Sequence, residues 1–124
     1  MATKEVAVVG ASLSYELPVS GTPAQFTGSP SSKVKAGGAF VFENGTQVTI
    51  PAGITNGTCT TNVTGIGNMQ ATASKVKGDG KLVLRKDDTL TVTGIAGVLS
   101  GGGACTLNAT VKISNAGQAK VKAN

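Results

Sequence analysis

The chain has no histidine and no tryptophan, and Tyr15, Phe26, Phe40 and Phe42 are its only aromatic residues. Without histidine it lacks the commonest general base and a member of most zinc and non-haem iron ligand sets. No Ser-His-Asp or Cys-His constellation can be assembled, so the sequence points away from an enzyme and from a bound cofactor or metal. Arg85 is its single arginine. Bidentate reading of bases and phosphates favours arginine, and single-strand stacking needs aromatic rings. A nucleic-acid partner is therefore not expected, despite a net charge of +5. No apolar run approaches the roughly 20 residues of a membrane span. The opening MATKEVAVVG carries one lysine, then Glu5 and a short apolar patch, too weak a pattern for a secretory signal. Synthesis in a cytoplasm is the expectation.

What is present is glycine, 18 of 124 residues, with abundant threonine, valine and asparagine. That mixture suits short strands joined by turns. No stretch has the 3.6-residue period of an amphipathic helix. The length fits one domain, which buries enough surface for a core without metal. The expectation is a single all-β domain with no helix longer than about two turns. Four Asn-x-Thr triplets, at Asn44, Asn56, Asn62 and Asn108, match a glycosylation acceptor and read here as turn and strand chemistry.

The strongest signal is internal repetition. Lys33-Val34-Lys35 recurs as Lys75-Val76-Lys77 and Lys120-Val121-Lys122. Behind the first two, Gly38-Ala39-Phe40-Val41-Phe42 aligns with Gly80-Lys81-Leu82-Val83-Leu84, and Val48-Thr49-Ile50 with Leu90-Thr91-Val92. Gly57-Thr58-Cys59-Thr60 then aligns with Gly103-Ala104-Cys105-Thr106, Asn62 with Asn108 and Thr64 with Thr110. The division is a divergent part-copy over 1–32, full copies over 33–74 and 75–119, and a terminal strand fragment at 120–124. Each copy reads as about four short strands that cannot bury both faces alone. Packed together, they predict a small prism or barrel of approximate threefold character. Period-two alternation puts Val34 and Val76 inward and lysines 33, 35, 75, 77, 120 and 122 outward. Outward lysines protect strand edges, or form a basic girdle facing an anionic partner.

Cys59 and Cys105 occupy equivalent repeat positions. They are either two small buried hydrophobes, the favoured reading, or a pair able to face one another and form a disulfide after release from the cell. Asp87-Asp88 reads as a polar hairpin turn, since no Asp-x-Asp-x-Asp spacing accompanies it to make a calcium loop. Gly101-Gly102-Gly103 has no helix behind it to hold a phosphate and reads as a flexible loop. The uncharged loops Pro51–Gly57 and Gly94–Gly103 are equivalent, and with Ile54 and Ile95 they form the expected docking surface. The charged turns at Gly78–Gly80 and Lys86–Asp88 are expected to face solvent.

The pattern Ser-x-Val-x-x-x-Gly-x-x-Val followed by a Gly or Asp turn runs from Ser32 through Val41 to Gly45, and again from Ser74 through Val83 to Asp87-Asp88. It resembles the repeat of PAAR and PAAR-like proteins, and Val111–Gln118 resembles their C-terminal strand. The resemblance covers about residues 31–124. It implies a small β-rich cone capping the trimeric spike of a phage tail or contractile injection system, touching a membrane only as a piercing tip. Family members often hold a metal through histidines and a cysteine; with no histidine here, that site does not carry over, and the motif's proline is replaced by Lys33 and Lys75. The alternative is a capsid decoration (cement) protein stabilising a phage head lattice. A secreted carbohydrate-binding or adhesin domain would call for a signal peptide and surface aromatics.

Overall fold

The computed structural model describes residues 3–73, 75–78 and 80–123, and they contain no helix. In chain order the strands are β1 (Lys4–Glu5), β2 (Ser12–Tyr15), β3 (Gln25–Phe26), β4 (Lys35–Ala36), β5 (Ala39–Phe40), β6 (Thr46–Ile50) and β7 (Cys59–Thr61). There follow β8 (Gly65–Met69), β9 (Lys77–Gly78), β10 (Lys81–Leu82), β11 (Thr89–Leu99), β12 (Ala104–Asn115) and β13 (Lys122–Ala123). The chain is all-β, as its glycine, threonine and valine content predicts.

The strands form two kinds of sheet. One body holds a four-stranded sheet, β2-β12-β11-β7, and a three-stranded sheet, β3-β6-β8. The remainder is three two-stranded units: the hairpins β4 with β5 and β9 with β10, and a like pair made by the two ends of the chain, β13 with β1. All pairings are antiparallel. The first hairpin turns through Gly37 and Gly38, with φ of 60° and 91°. Both central residues of such a turn need positive φ, which only glycine adopts without strain. The Ser74 and Asp79 positions of the second copy lie outside the described residues.

β11 and β12 carry most of the large sheet, and a bulge lets β11 keep the same face inward on both sides of it, from Leu90 to Gly97. Leu90 and Val92 turn inward before it, Ile95 and Gly97 after it, and the register shifts between Val92 and Ile95. Gly94 sits there at φ 69°, its N–H donating to Asn108 Oδ1 at 2.9 Å. The extra residue is what restores the inward phase. The predicted loop Gly94–Gly103 is thus corrected: through Leu99 it is strand, and only residues 100–103 turn.

The described residues form two cores. The larger is built on Val48, Ile50, Ile54, Met69, Leu107, Val111 and Ile113 between the sheets. The smaller joins Val6, Val8, Val41 and Val83 to Ala36, Ala73 and Ala123 beneath the hairpins.

Candidate interaction surface

The hairpin end is built from bonds repeated three times. Val41 N donates to Val34 O, Val83 N to Val76 O and Val6 N to Val121 O, each at 3.0 Å. One residue further on, Phe42 N donates to Ala7 O, Ala7 N to Leu84 O and Leu84 N to Phe42 O, all at 2.9 Å, so the three segments close a ring. Two residues past the ring, Asn44 N, Val9 N and Lys86 N donate to Leu82 O, Phe40 O and Glu5 O. Each segment then turns through Gly10, Gly45 or Asp87, all at positive φ, and Asp87 is the one described non-glycine residue there.

The lysines cluster on these hairpins. Segments 3–5, 33–40, 75–82 and 120–124 carry eight lysines against Glu5 and Asp79, a net +6, and the rest of the chain carries −1. Lysines 33, 35, 75, 77, 120 and 122 are exposed, as expected. Lys35 Nζ lies 4.8 Å from the centre of the Phe40 ring. Two partly exposed ion pairs, Lys4–Asp87 at 3.9 Å and Lys86–Glu5 at 4.0 Å, leave the positive field largely uncompensated.

The expected inward valines need correction. Val34 is half-buried against the smaller core, but Val76 and Val121 are 39% and 41% exposed. Each strand starts at the second lysine, so the residue turned inward is the next one, Ala36 or Ala123. The Lys-Val step before it is a turn held by a side chain. Ser31 Oγ accepts from the N–H groups of Lys33 and Val34, and Gln118 Oε1 from those of Lys120 and Val121. A serine and a glutamine share this role without sharing a motif, so repeat alignment misses them.

Asp88 is also corrected: it is 1% exposed rather than solvent-facing. Its Oδ2 accepts from Arg85 N at 2.9 Å, and its Oδ1 bonds the Thr72 hydroxyl. Arg85, 8% exposed, donates from Nη2 to that hydroxyl at 2.9 Å and from Nη1 to Ala123 O at 3.1 Å. The lone arginine is a structural tie between the last strand and the Asp87-Asp88 turn. It does not present a phosphate fork to solvent.

At the opposite end the chain is uncharged, with no charged residue between Glu43 and Lys75 or between Asp88 and Lys112. Ile54 and Ile95, expected to dock a partner, are 0% and 4% exposed. Thr61 Oγ1 takes the N–H groups of Gly53 and Ile54, folding the loop inward over the core. Exposed apolar side chains here are instead Val63, Ile66, Val98 and Leu99.

Cys59 and Cys105 are joined by a disulfide, which decides between the two readings of the pair. It links β7 to β12 across β11, with a Cα–Cα distance of 6.1 Å. Two strand spacings in a flat sheet would separate them by about 10 Å. The sheet curls at Gly97, where a Cβ would stand 2.4 Å from Thr60 O. With both thiols consumed and no group of three His, Cys, Asp or Glu among the described residues, this chain does not fit the metal site of PAAR proteins.

Asn44, Asn56 and Asn108 hold turns and the bulge: Asn44 Oδ1 accepts from Ala71 N, Asn56 Oδ1 from Thr58 N and Cys59 N, and Asn108 Oδ1 from Gly94 N. No protein-family model, curated protein or solved structure matches the chain.

Proposed function

We propose that the protein is a non-enzymatic structural component of a phage tail or contractile injection particle, a PAAR-like piece seated on a trimeric spike. The reading rests on the hydrogen-bonded ring of Ala7, Phe42 and Leu84 and the three like two-stranded units around it, two hairpins and the paired chain ends. One chain contacts three identical subunits equally only through a surface that repeats about an approximate threefold axis. The thrice-repeated backbone bonds at the hairpin end support such a surface there; the sheet end, with its unequal sheets and single disulfide, offers no comparable repetition. The docking face is therefore assigned to the lysine-bearing hairpins, in place of the uncharged loops expected from sequence. The matching spike end is acidic, since the net positive charge lies on the hairpins. Assembly into the particle follows synthesis in the cytoplasm, and the disulfide forms on exposure to oxidising surroundings.

Counting copies in purified particles by quantitative mass spectrometry tests this. A spike tip gives one copy per spike, whereas many copies per head assign the chain to the capsid lattice as a decoration protein. Changing Lys35, Lys77 and Lys122 together to glutamate is expected to abolish incorporation while the isolated domain stays folded. Normal incorporation of that variant would exclude the hairpin face.

A further inference from the structure

The turns at Gly10, Gly45 and Asp87 are built alike: Ala11 N, Thr46 N and Asp88 N donate to the carbonyls of Val8, Glu43 and Arg85. In two of them a returning strand completes the arrangement. Met69 O, at the end of β8, accepts from Gly45 N at 2.7 Å, and Ile113 O, on β12, accepts from Asp87 N at 2.9 Å. Those strands then pair with β6 and β11, the strands that leave the same turns. At the third turn no described residue accepts from Gly10 N. Among the described residues, the strand leaving it, β2, pairs only with β12, and β3, which comes back, pairs only with β6.

Between β2 and β3 lies a cleft of about 340 Å³, walled by Gly10 to Leu13 on one side and Pro23 to Phe26 on the other. Phe42 lies at its base, its ring stacked on Phe26 at 4.2 Å. Both walls are open strand edges. Glu16 N donates to Thr110 O, so the alternation of an antiparallel ladder directs the N–H and C=O of Leu13 and Tyr15 away from β12. Thr27 N donates to Gln47 O, which in the same way directs those of Phe26 away from β6. Tyr15 OH, donating to Thr22 O at 2.6 Å, ties the two walls together at one end.

We propose that this cleft accepts an extended segment of another protein as an added strand between β2 and β3. The open edges supply backbone donors and acceptors on both sides, and an extended backbone is the chemistry that satisfies both at once. The occupant is uncharged where it inserts: neither residues 6–15 nor 17–32 include a charged side chain to pair with a buried charge. It places an apolar side chain against Phe26 and Phe42. This proposal shares with the spike reading the likeness of the three turning segments, but it uses neither the lysines nor a particle, so the peptide titration and the copy count can fail separately.

The probe is a blocked synthetic peptide with the sequence of residues 65–70, which fills the corresponding place beside Gly45. Titrated into the isotope-labelled, oxidised protein, it is expected to shift the amide signals of Gly10, Leu13 and Phe26. It should slow their hydrogen exchange at least about tenfold, at micromolar to low millimolar peptide. The same peptide N-methylated at alternate residues keeps its side chains and loses its ladder bonds, and is expected not to bind. Equal binding of the methylated peptide would make the cleft a pocket for apolar side chains and overturn strand addition. So would slow exchange of the Leu13 and Phe26 amides in the free protein, or no shift at millimolar parent peptide. Concentration-dependent dimerisation that perturbs the same amides without peptide would identify a second copy as the occupant and overturn the assignment to another protein.

Discussion

The hairpin end and the sheet end are held together by different physics. Under the hairpins the core is small, made of valines and alanines, and its edges are closed by one backbone ring and by bonds from buried Arg85 and Asp88 to Thr72. Between the sheets the core is larger and apolar, uncharged chain surrounds it, and one disulfide closes a long loop. Polar ties demand fixed geometry, because a buried polar atom without its partner costs the full desolvation of that group. Apolar packing tolerates small shifts more readily. The end that presents repeated geometry is therefore the polar one. The uncharged end can curl, bulge and leave a strand edge open.

Breaking the sheet end gives the largest expected effect. Replacing Cys59 and Cys105 by serine reopens a loop with a sequence separation of 46, costing about 4 kcal/mol by the chain-entropy relation. Urea unfolding monitored by amide signals checks this, and β7 is expected to loosen before the hairpin ring. If the hairpins were lost first, the two ends would not be separable.

At the hairpin end, Asp88→Ala removes the acceptor of Arg85 N and the partner of the Thr72 hydroxyl, through which the carboxylate reaches the Arg85 guanidinium. A loss of about 2–3 kcal/mol is expected for the buried groups left without their acceptor, measured as a shift of the urea midpoint. Asp88→Asn, which keeps an acceptor, is expected to lose less.

Within the hairpins the valines separate by burial. Val34→Ala is expected to cost roughly 1 kcal/mol, and Val76→Ala less than about 0.5. Lys33→Gln and Lys75→Gln are expected to stay within about 0.5 kcal/mol while lowering the salt dependence of any partner binding. Equal losses at Val34 and Val76 would contradict the difference in their surroundings.

The smallest effect is alkaline and belongs to the cleft. Burial raises the Tyr15 hydroxyl above its usual pKa, because the phenolate is poorly solvated there. The folded chain then holds this proton more tightly than the unfolded one. Its contribution is complete below the unfolded value near 10 and is lost as pH rises through the folded value. Thermal melts between pH 9 and pH 11 should show a decline that Tyr15→Phe reduces.

Much of this was legible in the sequence. The absence of helical periodicity gave the all-β class, and glycine pairs located the first hairpin turn. The paired copies put lysines 33, 35, 75, 77, 120 and 122 on exposed surface. Val76 escaped because a three-residue alternation cannot reveal that its strand starts one residue later. Ile54 and Ile95 escaped because glycine-rich surroundings resemble a loop, while a bulge at Gly94 and the Thr61 hydroxyl fold both side chains inward.

Local chemistry in the chain determined its turns, its strand content and the segregation of its charge, since each depends on neighbours a few residues apart. Tertiary structure decided the rest. The two termini meet as β1 and β13, Cys59 bonds Cys105 across β11, Arg85 is buried beside Asp88, and the edge between β2 and β3 stays open. Each of these joins residues far apart in sequence. Whether such partners meet depends on the packing of the whole chain, and no local pattern carries that information.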